Sequence, residues 1–443
     1  MHLSFDPDRL AELTAAERDL FLTERPMSLS FRERARAVMP RGVPMSWLDQ
    51  LFDPEPVWAA SGSGAYIIDV DGHRYLDTNL ADTSMFCGYA PVPVVEAVSR
   101  AVATGSQFML PTEDSIVVAA ELARRYGLPK WQFTLSATVA NVEAMRLARS
   151  VTGRDFVVMF QGKYHGHAAE MQTELVDGAV VADFPGLPGA ARAVRLVPFN
   201  DEAALTAALA DRQVAAVLLE PAMTNNQGVI MPLPGFHDAL RRIATGHGSL
   251  VILDETHTQI CGPGGLTGRW GLQPDVVTLG KSIAAGIPIG AYGMTAELAD
   301  RFSATDWYAT GGTLFGNRLS MAAARAALTE VLTDTAYDRT SALGTRLADG
   351  IEAIAARAGL PWRAHRLYPR SGYAFSGVQP VEAVQARADL DSGLWLLLRL
   401  FMANRGVWEA IEGAGPAMGV AAVEGDVDLY LDVLAQLVTE LVR

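Results

Sequence analysis

Apolar and polar positions change their spacing along the chain, and each spacing predicts a different element. Over residues 1 to about 40, Leu10, Leu13 and Phe21 recur among charges at helical intervals. They predict an amphipathic helical arm that wraps a partner subunit or lies on its own surface. AYIIDVDGHRYLD, within Val57 to Asp77, alternates instead and breaks at Asp71-Gly72, a pair suited to a tight hairpin turn. PVPVVEAVSRAVATG returns to helical spacing, with proline ahead of the helix and glycine behind it.

In the centre, DFVVMF (155–160), VAAVLLE (214–220), LVILDE (250–255) and DVVTLGK (275–281) are short runs of Val, Ile and Leu without alternation. Strands buried on both faces of a parallel sheet read this way. Helical stretches such as NVEAMRLARSVTG and GFHDALRRIATGHG separate several of them. The pattern predicts an α/β domain with a mostly parallel, doubly wound sheet. After Gly316, NRLSMAAARAALTEVLTD predicts a long helix leading away from the sheet. From about residue 335, helices mix with a few short strands in a smaller α+β unit.

An open parallel sheet binds ligands beyond the carboxyl ends of its strands. Glu220, Asp254 and Lys281 each stand at or just past the end of a predicted buried strand. Singly, each has a plain reading as a satisfied acid or a surface lysine at a turn. Together they set carboxylates and an amine around one crevice. Lys281 is the lone cation in VVTLGKSIAAGIPIGAYG. Desolvation there disfavours the charged form and makes the amine a nucleophile toward carbonyls. A buried Asp254 needs a partner, which a protonated ring nitrogen or a set of backbone amides would supply. Ser136, Ala137 and Thr138 are small residues at a strand-to-helix junction, where free amides bind phosphate or a serine simply caps the helix. Tyr164 and His165 follow another strand in FQGKYHGH, and the tyrosine ring either stacks on a planar ligand or fills the core.

Composition narrows the partners. Among 443 residues, 36 are Lys or Arg and 50 are Asp or Glu, giving a net charge of −14. Nucleic acid and anionic membrane are bound through clustered cations, so neither is expected as a partner. Cys87 and Cys261 stand outside any disulfide or metal-ligand spacing. No apolar run reaches the ~18 residues of a transmembrane helix, and the polar N-terminus lacks a signal-peptide core. A cytoplasmic protein without a metal site is expected.

FTLSATVAN, EAMRLARSVTGRDFVVMFQGKYHGH, LLEPAM, LVILDETHT, GLQPDVVTLGKSIAAGIPIGAYG and GTLFGNRLSMAA occur in the order of class III aminotransferases. The chain resembles that family from VMPRGV, near residue 38, to GDVDLYL near its end. The subgroup most similar in these motifs is that of glutamate-1-semialdehyde 2,1-aminomutase and its aminotransferase relatives. The resemblance implies fold type I and pyridoxal 5′-phosphate (PLP) as cofactor. It implies an N-terminal arm and part of a small domain over 1–80, a large PLP-binding domain over 81–330, and a C-terminal small domain over 331–443. Lys281 would form the Schiff base, and Asp254 would pair with the pyridine nitrogen. Ala137 and Thr138, beside Ser136, would hold the phosphate. Tyr164, next to His165, would stack on one face of the ring, with Thr256 on the other. Glu220 matches the acid of a Glu-Pro motif near the cofactor. Thr313 in GGTLFGN matches a threonine that reaches the phosphate of the neighbouring subunit, which implies a homodimer with active sites at the interface.

There are departures from the family pattern. The phosphate loop reads Ala137-Thr138-Val139-Ala140-Asn141 where Gly-(Ser/Thr)-Glu-Ala-Asn is usual, so a glutamate near the pocket is lost. DETHTQI replaces Asp-Glu-Val-x-Thr-Gly, which makes His257 unusual; it reads as a packed or capped histidine that can also shape the pocket. In the semialdehyde aminomutase, an arginine after the N-terminal Pro-Gly-Gly-Val segment binds the substrate carboxylate. PRGVPMSWLDQ has none in that place, and Arg41 inside the motif is the available substitute. The expected activity is therefore transamination between a small-molecule amino donor and a carbonyl acceptor. Aminomutation, and racemisation or epimerisation, are alternatives that use the same lysine. A regulatory PLP-binding protein is disfavoured, because no basic helix-turn-helix segment precedes residue 40. Trp47, Tyr308 and Trp408 point to a bulky or aromatic substrate, or else belong to core or interface.

Overall fold

A computed structural model of the protein describes residues 5–184, 189–224, 228–304, 310–390, 392–409, 413 and 415–443. Its central sheet has seven strands among these residues. Their order is Lys130–Thr134, Gly290–Met294, Val276–Leu279, Leu250–Asp254, Val214–Leu219, Phe156–Phe160 and Val194–Val197. Gly290–Met294 runs antiparallel to both neighbours, and the strands from Val276–Leu279 onward are mutually parallel. Alternate side chains enter two different cores. Val158, Val217, Leu253 and Leu279 pack on one face, and Val157, Leu218, Ile252 and Val276 on the other. Neither face meets water, which is why these strands read as unbroken apolar runs.

Helices seal both faces. Ala137–Thr152 starts where Ser136 Oγ accepts the Val139 amide at 3.3 Å, and it ends at a left-handed Gly153. It buries Ala140, Ala144, Met145, Leu147 and Ala148. Phe236–His247 lies between Gly235 and Gly248, both left-handed, and buries Phe236, Leu240, Ile243 and Ala244.

A separate core draws on both ends of the chain. The predicted hairpin forms from Tyr66–Asp69 and Arg74–Asp77, and Val407–Trp408 adds to it in parallel. Leu76 packs with Leu347, Trp362, Trp395, Val427 and Tyr430. The N-terminal arm lies on its own chain as two helices, Pro7–Thr23 and Pro26–Arg36. Buried Arg25 fastens it, donating to Tyr75 Oη at 2.9 Å with its guanidinium 3.9 Å from the Phe21 ring centroid. No helix of the described residues is long and apolar enough to cross a membrane.

One predicted helix is interrupted. Arg318–Ala326 is α-helical, and Ala327–Val331 widens into a π-turn before Asp334–Arg357 begins. Arg125 donates to the carbonyls of Leu328 at 2.6 Å and Leu332 at 2.8 Å, replacing bonds that the regular helix would have made.

Within Asp334–Arg357, a Cβ built on Gly344 would meet the Tyr368 carbonyl oxygen at 2.1 Å. Helix propensity alone would make alanine better there by about 1 kcal/mol. Overpacking opposes it at about 1–3 kcal/mol. Gly344→Ala is expected to lower the thermal midpoint, and a raised midpoint would show that the contact is not limiting.

Candidate active site

The carboxyl edge of the sheet opens into a cavity of about 240 Å³. Its walls bring together Ser136, Ala137, Thr138, Tyr164, His165, Glu220, Asp254, Thr256 and Lys281, and they add Asp82 and His257. Thr313 is not among them. It is exposed on another surface, near Met109, Leu110 and Ile116, and its carbonyl accepts from Gln107 Nε2. Arg41 also stays outside: it is half exposed and lies 3.7 Å from Asp49. Tyr308 falls outside the described residues.

Asp254 closes its strand and is 2% exposed. Its Oδ2 accepts from Asn141 Nδ2 at 2.7 Å and from His165 Nδ1 at 2.8 Å, and Oδ1 accepts the Thr256 amide at 3.0 Å. Asn141 is oriented in turn, because the Thr278 hydroxyl donates to its Oδ1 at 2.6 Å. Burial pushes the Asp254 carboxyl up, but His165, Thr256 and Asn141 outweigh it and hold the group below its usual range. Sequence reasoning gave Asn141 no role. The available signal was its retention in a loop whose glutamate had been replaced.

Lys281 follows Val276–Leu279 and takes φ 50°, a left-handed conformation that strains a residue with a Cβ. Its flanks are apolar in sequence, yet in space the amine faces two polar groups. Nζ lies 2.5 Å from Asp82 Oδ2 and donates to His257 Nε2, which is 3.5 Å from Asp82 Oδ1. Burial, and then the Lys281 charge, lower the His257 pKa and keep that ring neutral. Burial works to raise Asp82, but Lys281 and His257 outweigh it and leave the carboxyl well below its usual value.

Asp82 was missed by sequence reasoning. It reaches the lysine on a left-handed turn built without glycine, with Leu80, Ala81, Asp82 and Thr83 at φ 54°, 45°, 55° and 67°. The Asp77 carboxylate clamps that turn. It accepts the amides of Asn79 and Leu80 at 2.9 Å, the Ala81 amide at 3.2 Å and the Tyr89 hydroxyl at 2.6 Å. Strain of this kind persists only where the surroundings over-determine it.

On the opposite wall, the helix Ala137–Thr152 aims its N-terminus at the cavity, and its first amides lack acceptors within the helix. A Cβ on Gly166 would come 2.2 Å from Thr138 Oγ1, and one on Gly280 2.9 Å from the Ala137 Cβ. Glycine at both places lets three segments meet. Among the described residues, four buried polar atoms on the cavity wall have no hydrogen-bond partner: His165 Nε2, Glu220 Oε1, Thr256 Oγ1 and His257 Nδ1. Buried polar atoms left open together mark a place for a polar ligand. Burial, followed by Asp82 and Asp254, pushes the Tyr164 phenol up to about 12, so it presents a neutral ring.

The family model for aminotransferase class-III matches residues 52–361, and the chain belongs to that family. It is a PLP-dependent enzyme of fold type I, similar to the glutamate-1-semialdehyde 2,1-aminomutase subgroup. The glutamate-1-semialdehyde 2,1-aminomutase of Anaeromyxobacter dehalogenans (strain 2CP-C) is 37% identical over 341 residues, covering 75% of this chain and 79% of that one. A glutamate-1-semialdehyde-aminomutase structure from Pseudomonas aeruginosa PAO1 matches with a TM-score of 0.93 at 38% identity, over 99% of both chains. An omega-transaminase structure from Sphaerobacter thermophilus matches at 0.85 and 28% identity, covering 94% of this chain and 97% of that one. The residues present fit the cofactor, with an ionised acid for a ring nitrogen, an amine for an aldehyde, and open amides for a phosphate.

Glu220 supplies a pH test. Burial, reinforced by Asp254, raises its carboxyl to about 8, although the Thr224 hydroxyl donates to Oε2 at 2.7 Å and pulls the other way. The folded chain therefore holds a proton that the unfolded chain releases near pH 4.5. Stability from this group is complete below that pH and is lost as pH rises toward 8. Glu220→Gln apoprotein should melt at a higher temperature than wild type, by an advantage that grows from pH 5 to 8 and then levels off. An advantage independent of pH would mean that Glu220 is ionised throughout.

Proposed function

We propose that this cavity carries out transamination, moving an amino group from an amino acid or amine to a keto acid or aldehyde. The observation that carries the reading is the placement of the Lys281 amine and the ionised Asp254 on the walls of one cavity. Bound PLP supplies an aldehyde that condenses with amines and a ring that accepts the electron pair of a broken Cα–H bond. Lys281 would hold it covalently and, once released by the donor amine, carry the proton taken from the donor's α-carbon. Asp254 would keep the ring nitrogen protonated, with His165 and Asn141 positioning the carboxylate. Ser136, Ala137 and Thr138 would take the phosphate at the helix terminus. Tyr164 and Thr256 would enclose the ring, and Glu220 would lie beside it.

Aminomutation, in which the amino group moves within one substrate, is the second reading. The relatives named for it, at 37% and 38% identity, favour it. The position of Arg41, turned to Asp49 away from the cavity, speaks against an anion site in PRGVPMSWLDQ. Product analysis over a full catalytic cycle separates the two. Transamination releases a free carbonyl compound from the donor, whereas aminomutation returns an isomer of it.

The holoenzyme is expected to absorb visible light, and borohydride should fix the cofactor on Lys281. Label on another lysine overturns the assignment. Lys281→Ala should lose turnover by several orders of magnitude, since one residue supplies both linkage and proton transfer. Asp254→Asn should keep cofactor but lose most activity; activity within a few-fold of wild type would make Asp254 structural.

We also propose a homodimer, supported by the exposed apolar side chains Met109 (72%), Leu110 (69%) and Ile116 (70%) around Thr313. In that arrangement Thr313 would reach the partner's phosphate. Sedimentation at micromolar concentration should give a dimer, or a dimer of dimers, that PLP protects against dilution. Thr313→Ala should weaken PLP retention by about 1–3 kcal/mol. A PLP-saturated, fully active monomer rules out the shared site.

A further inference from the structure

A second cavity, of about 330 Å³, shares one wall with the first. That shared residue is Asp82. The second cavity is apolar, with Trp47, Leu48, Phe52, Ile67 and Trp408 among its walls. Phe52 and Trp408 pack against each other at 5.2 Å, and Trp408 sits edge-on to Tyr75 at 5.6 Å. No Lys, Arg or His is among its described lining residues.

Two other carboxylates border this cavity, and both are already satisfied. Asp77 is taken up by the left-handed turn described above. Asp69 accepts from the Tyr75 hydroxyl at 2.6 Å and from the amides of Asp71 and His73. Asp82 differs, because beside the His257 ring at 3.5 Å it pairs with a primary alkylammonium, that of Lys281. The lysine amine thus stands where the ammonium of an incoming donor would bind. With that amine committed to the cofactor, the Asp82 carboxylate loses its nearest cation, keeps His257 at 3.5 Å and the charge of the buried Arg370 close by, and presents an anion to a cation arriving at the cavity junction. A carboxylate in a poorly solvated wall attracts a cation within a few ångströms and repels an anion.

We propose that the second cavity is the substrate pocket, and that Asp82 selects a primary amine with an apolar, aromatic-sized body and no carboxylate on the amine-bearing carbon. The ammonium meets Asp82 beside Lys281, and the body lies against Trp47 and Trp408. This deepens the transaminase reading and rests on it only in assigning Lys281 to the cofactor. Asp82 is a specificity residue on this account, and its backbone strain holds the carboxylate at the junction.

The test uses PLP-loaded enzyme and two probes of equal skeleton that cannot condense with an aldehyde: N,N-dimethyl-2-phenylethylammonium and 3-phenylpropionate. Binding is read by tryptophan fluorescence and calorimetry. The ammonium is expected to bind at least tenfold more tightly than the carboxylate. Asp82→Asn should bring the two within about twofold, and Leu48→Arg, which adds a cation to the apolar wall, should shift the preference toward the carboxylate. In turnover, 3-phenylpropylamine should exceed L-glutamate in kcat/KM by at least tenfold. Equal binding of the two probes, preference for the carboxylate, an unchanged preference in Asp82→Asn, or glutamate as the better donor each overturns the proposal. Failure of the PLP reading is seen separately, as absence of a visible band and of borohydride label on Lys281 before any probe is added.

Discussion

Burying a carboxylate costs several kcal/mol unless hydrogen bonds replace the water it loses. Asp254 is ionised with 2% exposure because Asn141, His165 and the Thr256 amide all donate to it. Those donors come from different segments. Asn141 belongs to the helix Ala137–Thr152, His165 to the loop after Phe156–Phe160, and Thr256 to the chain leaving Leu250–Asp254. Thr278 adds the neighbouring strand through its bond to Asn141. One charge therefore fixes the relative positions of three strand ends and a helix start. The cavity has its shape because that charge has to be satisfied.

The other side of the cavity is held by strain. Lys281 and the turn Leu80–Ala81–Asp82–Thr83 adopt left-handed backbone without glycine, and Asp77 replaces the missing conformational freedom with four hydrogen bonds. A glycine in such a turn would relieve the Cβ clash but could not carry a carboxylate. The side chain at Asp82 is kept at the cost of backbone strain, a pattern typical of functional sites. His257 belongs to the same group. Its sequence suggests a packed histidine, and it is buried, but its Nε2 lies against Lys281 and its Nδ1 faces a ligand cavity without a partner.

Membership of the class III aminotransferase family accounts for the fold and the cofactor. It does not account for the departures. The loop from Ala137 to Asn141 keeps the asparagine that Asp254 requires and replaces the usual glutamate with Val139, a partly buried residue on the helix.

The sequence by itself determined four of the seven described sheet strands, the parallel ones ending near Phe160, Leu219, Asp254 and Leu279, and the residues at their ends. A strand buried on both faces must be apolar throughout, and the first polar residues after it must face the carboxyl edge; Glu220, Asp254 and Lys281 follow from that rule. The hairpin at Asp71-Gly72 and the helices flanked by glycine were equally legible, because their signals are local. The π-turn at Ala327–Val331 was not, since Arg125, some 200 residues away, takes the Leu328 carbonyl within it and the Leu332 carbonyl that follows it. Asp82 was hidden for the same reason. It pairs with a lysine 199 residues later, on a turn whose left-handed backbone has no glycine to announce it. The apolar cavity beside it joins Trp47 to Trp408 across nearly the whole chain. Periodicity and turn chemistry report what neighbours in sequence do, whereas a charge pair or a cavity wall is set by which distant segments the fold brings within a few ångströms.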